Sequence, residues 1–261
     1  MRRRRPAWAL GSVDAVINCA ALSQPALCEQ DYQLARAVNV PDKLIAALVR
    51  QRRTRHVEAL LVHISTDQVY DGSHADWTET DRTAPINAYG RSKLEAEQYV
   101  RTHWERRIIL RSSLIYGPQP PHPVGRPLFL QFVEEALREG RPTRFLEDEF
   151  RSAVYVKDIC AVVSHLIKLL PDAPPHHTYN LGGPERLSRL DVARAVARHC
   201  GHGEKAIEAV TSSSMGDRGY NSPLDISMHV DRILTEIPVS LTPLSEALKE
   251  IFPAKVVAAA K

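Results

Sequence analysis

The sequence predicts an α/β fold built on a parallel, doubly wound sheet, and three observations support this prediction. Apolar runs typical of strands alternate with stretches of helical periodicity. The strand-like runs are continuously apolar, as in strands that are buried on both faces. They end abruptly in hydroxyl and carboxylate side chains, so polar groups lie at the carboxyl ends of the strands. In open parallel sheets these ends form the ligand site.

The first half of the chain supplies the alternating elements. Predicted strands cover residues 13–19, 60–66 and 108–112, and predicted helices cover residues 33–52 and 88–103. Each strand is followed by a helix that leads to the next strand, which is the β-α-β order of a parallel sheet. The strand at 60–66 ends in Ser65-Thr66, and the strand at 108–112 is followed by Ser113. These hydroxyl groups are therefore expected at one edge of the sheet.

The second half predicts further elements that return to the sheet. Helical spacing covers residues 128–139 and 156–170, and a short strand is predicted at 178–181. Ser188 followed by Asp191 resembles a capping box, which predicts a helix that begins there and extends to about residue 200. We expect three regions, which are a disordered remnant (1–12), a truncated dinucleotide-binding core (13–120) and a mixed substrate-binding lobe (121–261).

Composition excludes several classes of protein. The chain has 261 residues, of which 44% are hydrophobic and 25% charged, and this suits a globular protein with a sizeable core. A net charge of +3, much of it in the arginines at positions 2–5, gives no case for nucleic-acid binding. No apolar run is long enough to cross a bilayer. Its four cysteines form no Cys-x-x-Cys pair, so we expect reduced, partly buried thiols, a cytoplasmic location and no metal site.

The most informative motif is Tyr89-Gly90-Arg91-Ser92-Lys93. A tyrosine and a lysine four residues apart lie on one face of a helix, one turn apart. An ammonium group beside a phenol favours the phenolate, which lowers the cost of moving a proton to or from a substrate oxygen. Spacing of this kind also arises by chance. The polar side chains at the ends of the neighbouring strands are therefore needed to support a catalytic role for the pair.

The sequence lacks the glycine-rich turn that normally opens a dinucleotide-binding sheet. Gly11 is the only glycine before Gly72, and no Gly-x-Gly-x-x-Gly pattern occurs. We therefore expect an amino-terminally truncated sheet in which the strand at 13–19 forms an unpaired, hydrophobic edge. Such an edge invites aggregation or pairing with another chain.

Taken together, these segments resemble the extended short-chain dehydrogenases/reductases. The resemblance is to the branch that contains dTDP-4-dehydrorhamnose reductase and the regulatory β subunit of methionine adenosyltransferase. It extends from about residue 13 to the carboxyl end. The matching motifs are Val16-Ile17-Asn18-Cys19-Ala20-Ala21, Asn39-Val40, residues 65–72 (Ser-Thr-Asp-Gln-Val-Tyr-Asp-Gly), residues 85–93, residues 111–117, and the late Arg218 with Leu224-Asp225, where Gly219 replaces a family proline.

The resemblance implies a catalytic set of Thr66, Tyr89 and Lys93. Tyr89 would protonate the developing alkoxide during ketone reduction, and Lys93 would hold the nicotinamide ribose and lower the pKa of the phenol. Thr66 would hydrogen-bond the substrate carbonyl, although Ser65 and Thr66 would also serve simply to end a strand. Asp67 is expected to contact substrate.

The resemblance also implies residues around the cofactor and substrate. Ala20, Ala21, Ser23, Asn39 and Ser65 are expected to bind the cofactor together with the tyrosine and lysine, and Asn39 would complete a proton relay. The two alanines have the alternative of being small only for close packing. Arg111 is expected either to bind substrate or to form a structural ion pair, and Tyr116 to form a wall of the pocket.

Two functions of different classes follow from the resemblance. The first is an NADP- or NAD-dependent reductase of a nucleotide-linked keto sugar. The second is a non-catalytic regulatory subunit whose partner is the methionine adenosyltransferase catalytic subunit. A third outcome, in which the chain has neither activity, would follow if it cannot hold a dinucleotide. A homo-oligomer is expected if the unpaired strand edge associates with a second copy.

Overall fold

The computed structural model describes residues 11–122, 128–170, 172 and 176–253. The strands are β1 (Ala15–Asn18), β2 (Leu60–Thr66), β3 (Arg107–Ser112), β4 (Ile115–Tyr116), β5 (Thr143–Leu146), β6 (Phe150–Arg151), β7 (Val154–Tyr155), β8 (Thr178–Leu181), β9 (Leu187–Ser188) and β10 (Ile207–Val210). The helices are α1 (Pro25–Gln30), α2 (Tyr32–Asn39), α3 (Asp42–Arg55), α4 (Ala88–His103), α5 (Phe129–Arg138), α6 (Val156–Lys168), α7 (Arg189–Cys200), α8 (Asp231–Glu236) and α9 (Leu244–Ile251). Residues 1–10, which belong to the expected disordered remnant, lie outside the described residues.

A four-stranded parallel sheet in the order β1-β2-β3-β8 forms the centre of the molecule. Helices cover both of its faces, as in a Rossmann-like fold. Leu61 and Ile109 pack against α3 and α4 on one face, and Val62 and Leu110 pack against α6 and α8 on the other. The predicted parallel α/β fold is confirmed, and burial on both faces explains why the strands are continuously apolar.

One predicted helix is wrong in its extent. Instead of a single helix over residues 33–52, the structure has α2 and α3 with a break at Val40-Pro41. The physical reason is the proline, which disfavours the helical conformation of the residue before it. Val40 accordingly adopts extended angles, with φ −82° and ψ 118°.

A second apolar core lies beyond the sheet. Helices α5, α7 and α9 pack against one another and against β5, which pairs with β10 in parallel. Helix α7 begins with the predicted capping box, because Ser188 Oγ accepts from Asp191 N at 3.1 Å and Asp191 Oδ2 accepts from Ser188 N at 2.9 Å. Gly201 ends the helix with a positive φ of 72°.

Strand β1 lies at one edge of the sheet, and within the described residues it pairs with β2 alone. We expect the chain to self-associate as its concentration rises, through the side of β1 that has no neighbouring strand within the described residues. Val13→Lys, which puts a charge at the start of this edge, should reduce the association. Size-exclusion chromatography with light scattering measures it. A monodisperse, cooperatively melting monomer without the substitution would refute this expectation.

Candidate active site

One face of α4 carries three ionisable side chains in consecutive turns. The helix begins after Asn87, whose side chain accepts a hydrogen bond from Gly90 N at 2.8 Å. Tyr89, Lys93 and Glu97 follow at intervals of four and are 9%, 1% and 0% exposed. Because residues four apart share a helix face, all three face the sheet.

Gly90 allows the amino end of α4 to approach the end of β2 closely. A Cβ atom at this position would lie 2.1 Å from the backbone oxygen of Gln68 and 2.8 Å from Cβ of Pro85. Both distances are far below a normal contact. The glycine between the tyrosine and the lysine is therefore required by packing.

Gly90→Ala should destabilise the protein by about 1–3 kcal/mol, as overpacking of a fixed backbone contact does. Gly203→Ala is the matched control, because no atom lies within 4 Å of the added Cβ there. Urea unfolding midpoints of the two variants measure the difference. Equal midpoints would contradict the packing argument.

Thr66 ends β2 beside Tyr89. Its hydroxyl accepts a hydrogen bond from Gln68 N at 3.2 Å and donates one to Asp67 Oδ1 at 3.2 Å. The short 3-10 turn Asp67–Val69 follows at once. The structure thus agrees with the predicted alternative in which the threonine helps to end a strand. Thr66 also lies within hydrogen-bonding distance of the phenol of Tyr89.

Burial raises the pKa of Tyr89 to about 12. A hydrogen bond with Thr66 lowers it and the charge of Asp67 raises it, but both effects are smaller than that of burial. Lys93 is not among the groups that shift the pKa of this phenol in the structure, so its predicted effect on Tyr89 stays a prediction. At neutral pH Tyr89 is a protonated phenol and can act as an acid.

The amine of Lys93 is held by the strand under it. Its Nζ donates to the carbonyl oxygen of Ile64 at 2.7 Å and lies 3.5 Å from Nε2 of His63. Burial lowers the pKa of Lys93 to about 8, although the nearby Glu97 and Cys19 oppose that shift. Lys93 therefore changes its charge close to neutral pH.

Two cavities meet at the predicted catalytic residues. The lysine cavity has a volume of about 650 Å³ and includes Lys93, Cys19, Ser112 and the inner face of α6 in its lining. The arginine cavity has a volume of about 510 Å³ and includes Asp67, Glu149, Arg151 and Arg189. The side chains that line both cavities are Ser23, Thr66, Tyr89, Ser113 and Ile115.

Most of the predicted cofactor-binding residues lie at the lysine cavity. Ala21, Ser23 and Ser65 line it. Ser65 also donates a hydrogen bond to Glu97 Oε1 at 2.6 Å. Ala20 is exposed next to this cavity, and its N–H is bonded to Asn18 Oδ1 at 3.3 Å.

The structure does not place Asn39 in a proton relay. Its Oδ1 accepts from Leu22 N at 2.7 Å, and its Nδ2 donates to Leu22 O at 3.2 Å and to Ser92 Oγ at 2.7 Å. Both amide hydrogens are thus occupied by other groups. Asn39 instead fixes the turn after β1 against α4.

Asp67 lies at the arginine cavity, where a substrate contact was predicted. Its carboxylate accepts from Ser113 Oγ at 2.7 Å, and burial raises its pKa in spite of the opposing Arg151 and these hydrogen bonds. Asp67 is 4% exposed. It is positioned to accept a hydrogen bond from a ligand hydroxyl in that cavity.

Arg111 forms the structural ion pair that was one of its two predicted roles. Its Nε and Nη2 atoms bind Glu97 at 3.0 and 2.9 Å, and its Nη1 donates to Tyr70 Oη at 2.9 Å. It is 2% exposed and lines neither cavity. The guanidinium group is therefore used inside the protein, which argues against substrate contact. Tyr116, predicted as a pocket wall, packs in the second core instead.

Sequence reasoning missed several groups at this site, among them Glu97 and Arg189. Glu97 continues the spacing of Tyr89 and Lys93 by one more turn, and that signal was available in the sequence. Arg189 is the first residue of α7, and no local pattern connects it with Tyr89. Only the tertiary fold brings α7 to the arginine cavity.

Gly219 explains the departure from the family pattern after Arg218. It adopts a positive φ of 72°, which the ring of a proline cannot reach. Arg218 still forms an ion pair with Glu149 at the arginine cavity. The local turn differs, and the arginine is retained at the site.

The described part of the chain contains neither a cluster of metal-binding side chains nor a helix that could span a membrane. No group of three or more metal-binding side chains is clustered in these residues. Among the described residues, no helix is long and apolar enough to cross a membrane. The four cysteines are free thiols, and Cys19 and Cys160 are exposed rather than partly buried as predicted, because they line the open lysine cavity.

Comparison with curated proteins finds similar reductases and similar regulatory subunits. The chain is 31% identical over 207 residues to a dTDP-4-dehydrorhamnose reductase of Mycobacterium tuberculosis, which covers 77% of this chain and 64% of that protein. It is 25% identical over 215 residues to the β subunit of methionine adenosyltransferase 2 of Xenopus tropicalis, with 81% of this chain and 63% of the relative covered. The chain thus spans less than two thirds of either relative.

A solved structure shows the same fold, and a family model identifies the family. A crystal structure of dTDP-4-dehydrorhamnose reductase from Bacillus anthracis in complex with NADP superposes with a TM-score of 0.79 at 22% identity and covers 92% of this chain and 80% of that chain. This similarity shows the fold. Residues 9–255 match the model of the RmlD substrate binding domain. The chain therefore belongs to the RmlD substrate binding domain family.

Proposed function

We propose that this chain is an NADP-dependent reductase of a nucleotide-linked keto sugar, of the extended short-chain dehydrogenase/reductase type. One observation carries the proposal. Thr66 and Tyr89 line both the lysine cavity and the arginine cavity, so a proton donor lies where a cofactor and a substrate would meet. The reductase from Mycobacterium tuberculosis and the NADP complex from Bacillus anthracis support the choice of reaction and cofactor.

The residues of the lysine cavity fit the nicotinamide and its ribose. Lys93 offers amine hydrogens to ribose hydroxyls, and Ala21 is small enough to let a flat ring approach the backbone. Ser23 and Ser65 add hydroxyl groups. When bound, the cofactor supplies a hydride. The sequence contains no glycine-rich turn for the diphosphate, so this fit concerns the nicotinamide half.

The proton step is assigned to Tyr89. As the carbonyl of the substrate becomes an alcohol, its carbon receives the hydride and its oxygen receives the phenolic proton. Tyr89 becomes a phenolate and must later regain a proton from water. Burial, which raises the pKa of Tyr89 to about 12, keeps the proton in place until a stronger base forms on the substrate. Thr66, whose hydroxyl hydrogen lies on Asp67 Oδ1 in this structure, would turn that hydrogen to the substrate oxygen and hold it by a hydrogen bond.

The arginine cavity supports an anionic substrate. Arg189 has no hydrogen-bonding or ion-pair partner among the described residues, and its guanidinium lies 4.9 Å from the centre of the Phe129 ring. Burial and the nearby Arg151 lower its pKa, although Glu149 opposes that shift. Glu149 lies in the same cavity but already pairs with Arg151 and Arg218, so it offsets the charge of Arg189 only in part. A diphosphate group of a nucleotide sugar would balance the remaining positive charge.

Arg189→Gln should raise the KM for the nucleotide sugar by about tenfold or more, the loss expected for one hydrogen bond to a charged group. The same change should leave the unfolding midpoint unchanged or raise it, because it removes a buried cation that Glu149 compensates only in part. Arg194→Gln on the same helix is the control, since Arg194 forms an exposed ion pair with Glu204. Equal KM values for both variants would show that Arg189 does not bind an anionic group of the substrate.

The direct test of the proposal is an NADPH oxidation assay with dTDP-4-keto-6-deoxy sugars, preceded by titration of the chain with NADPH. We expect saturable NADPH binding and turnover that depends on the sugar. Binding without turnover of any nucleotide-linked keto sugar would favour the regulatory alternative. Failure to bind NADPH would mean that the residues of the lysine cavity alone do not hold the cofactor.

The second candidate is a regulatory subunit, and the similarity to methionine adenosyltransferase 2 subunit β favours it. A pull-down with the methionine adenosyltransferase catalytic subunit tests it. Tyr89→Phe should abolish turnover under the first function and leave the pull-down unchanged under the second. For either function the four free thiols fit a reducing compartment, which we take to be the cytoplasm.

A further inference from the structure

His63 lies directly under the amine of Lys93. It is 0% exposed in the middle of β2, where its register partner on β1 is Asn18. Alternation along the strand puts His63 and Ser65 on the same face, below α4. Ser65 contacts Glu97, and His63 contacts the lysine one helical turn earlier. Two polar side chains of β2 thus contact two successive turns of α4.

The hydrogen bonds around His63 have a fixed direction. Ala20 N–H can only donate, so it fixes Asn18 Oδ1 as the acceptor at 3.3 Å. The Nδ2 of Asn18 must then donate to His63 Nδ1, which lies 3.0 Å away. A neutral imidazole that accepts at Nδ1 carries its proton on Nε2. That Nε2–H faces Lys93 Nζ at 3.5 Å.

This direction distinguishes the two charge states of the lysine. An ammonium group has three N–H donors and no acceptor, so it would meet the imidazole N–H donor to donor. A neutral amine keeps one N–H on the carbonyl of Ile64, accepts the imidazole proton with its lone pair and has another N–H for the lysine cavity. We propose that His63, oriented by Asn18, is a positioning residue that stabilises the neutral amine of Lys93.

The other charged and titratable groups around Lys93 act differently. On α4, Tyr89 is a protonated phenol, and Glu97 favours the ammonium form. Cys19, after β1, also favours the ammonium form. Arg111 on β3 is already neutralised by its ion pair with Glu97.

His63 itself stays neutral. Its pKa is well below 6.5 because of burial and the charge of Lys93. Within the described surroundings, His63 is therefore the polar group that favours the neutral amine, with burial acting in the same direction.

The consequence for catalysis rests on the proposed function. If Lys93 binds the nicotinamide ribose, its neutral form can accept a hydroxyl proton as well as donate one. Its charge would then set one limb of the pH dependence of turnover. The hydrogen-bond network itself can be tested without any turnover.

The first test is nuclear magnetic resonance of the unmodified chain without ligand. With ¹⁵N-labelled histidine and ¹³C-labelled lysine, we expect Lys93 to titrate near pH 8 and His63 to be a neutral imidazole with its proton on Nε2 once the amine is neutral. Lys93→Arg identifies the lysine signal by its loss. A proton on Nδ1 of His63, or a lysine that titrates near 10, would overturn the proposal.

The second test is His63→Gln, whose side-chain carbonyl can accept from an ammonium group. We expect the pKa of Lys93 to rise by about one unit, a tenfold change in its proton affinity. His103→Gln, an exposed position on the last turn of α4, is the control and should leave that pKa unchanged. An unchanged pKa in His63→Gln would overturn the proposal. A shifted pKa without reductase turnover in any variant would overturn only the proposed function.

Discussion

Tyr89→Phe is expected to lower the turnover of a nucleotide-linked keto sugar by about 10²- to 10⁴-fold, the contribution of a positioned general acid. The substitution removes the phenolic O–H and keeps the ring. The ring packs with Cys28, Ala35 and Ala88, so the fold should be maintained. Steady-state kcat with NADPH oxidation measures the effect, and thermal unfolding and NADPH affinity should change little.

The specificity of that result is checked with Tyr116→Phe. Tyr116 is also buried, at 5% exposure, and burial raises the pKa of its phenol as well. It lines neither the lysine cavity nor the arginine cavity, so its variant should keep normal turnover. If both variants lose activity equally, the loss reflects packing. If neither loses activity, Tyr89 is not the acid.

The parts of the site that are fixed by local structure could be predicted from the sequence. Tyr89 and Lys93 share a face because a helix has 3.6 residues per turn, and Thr66 lies at a strand end because the apolar run stops there. The capping box at Ser188 was predicted for the same reason. Each of these depends on neighbours within four residues.

The remaining parts depend on partners far apart in the sequence. Whether Arg111 faces a substrate or an ion pair is decided by Glu97 on the helix above it, and the sequence alone left both roles open. Asn39 is occupied by Leu22 and Ser92, which only the packing of the turn on α4 brings together. Arg189 reaches the arginine cavity through the docking of α7. None of these contacts follows from periodicity.

Glu97→Gln is expected to lower the free energy of unfolding by about 3–5 kcal/mol, the cost of leaving a buried charge without its partner. Glu97 is 0% exposed and binds Arg111 through both oxygens, and it also accepts from Arg101 and Ser65. Glutamine keeps the volume but loses the charge that balances Arg111. Denaturant unfolding at neutral pH measures the loss.

Glu95→Gln, on the same helix, is the matched control. Glu95 pairs with Arg36 and accepts from Tyr32 Oη, and the paired side chains are partly exposed, at 33% for Glu95 and 47% for Arg36. Exposed pairs of this kind contribute about 0–1 kcal/mol. A loss in Glu97→Gln no larger than in Glu95→Gln would show that the buried pair adds no stability beyond that of a surface pair.

The same carboxylate makes stability depend on pH in a defined direction. Burial alone would raise the pKa of Glu97, but Arg111 and Arg101 lower it by a larger amount. The net pKa therefore lies below the ordinary value of 4.5. A group whose folded pKa is depressed stabilises the protein above its unfolded pKa and loses that contribution as the pH falls through the folded value. The unmodified chain should therefore lose stability below about pH 4.5, and Glu97→Gln should lose less over the same range because it has no proton to gain. Parallel unfolding curves for both proteins from pH 6 to 3 would contradict this assignment, because the ion pair would then be absent in solution.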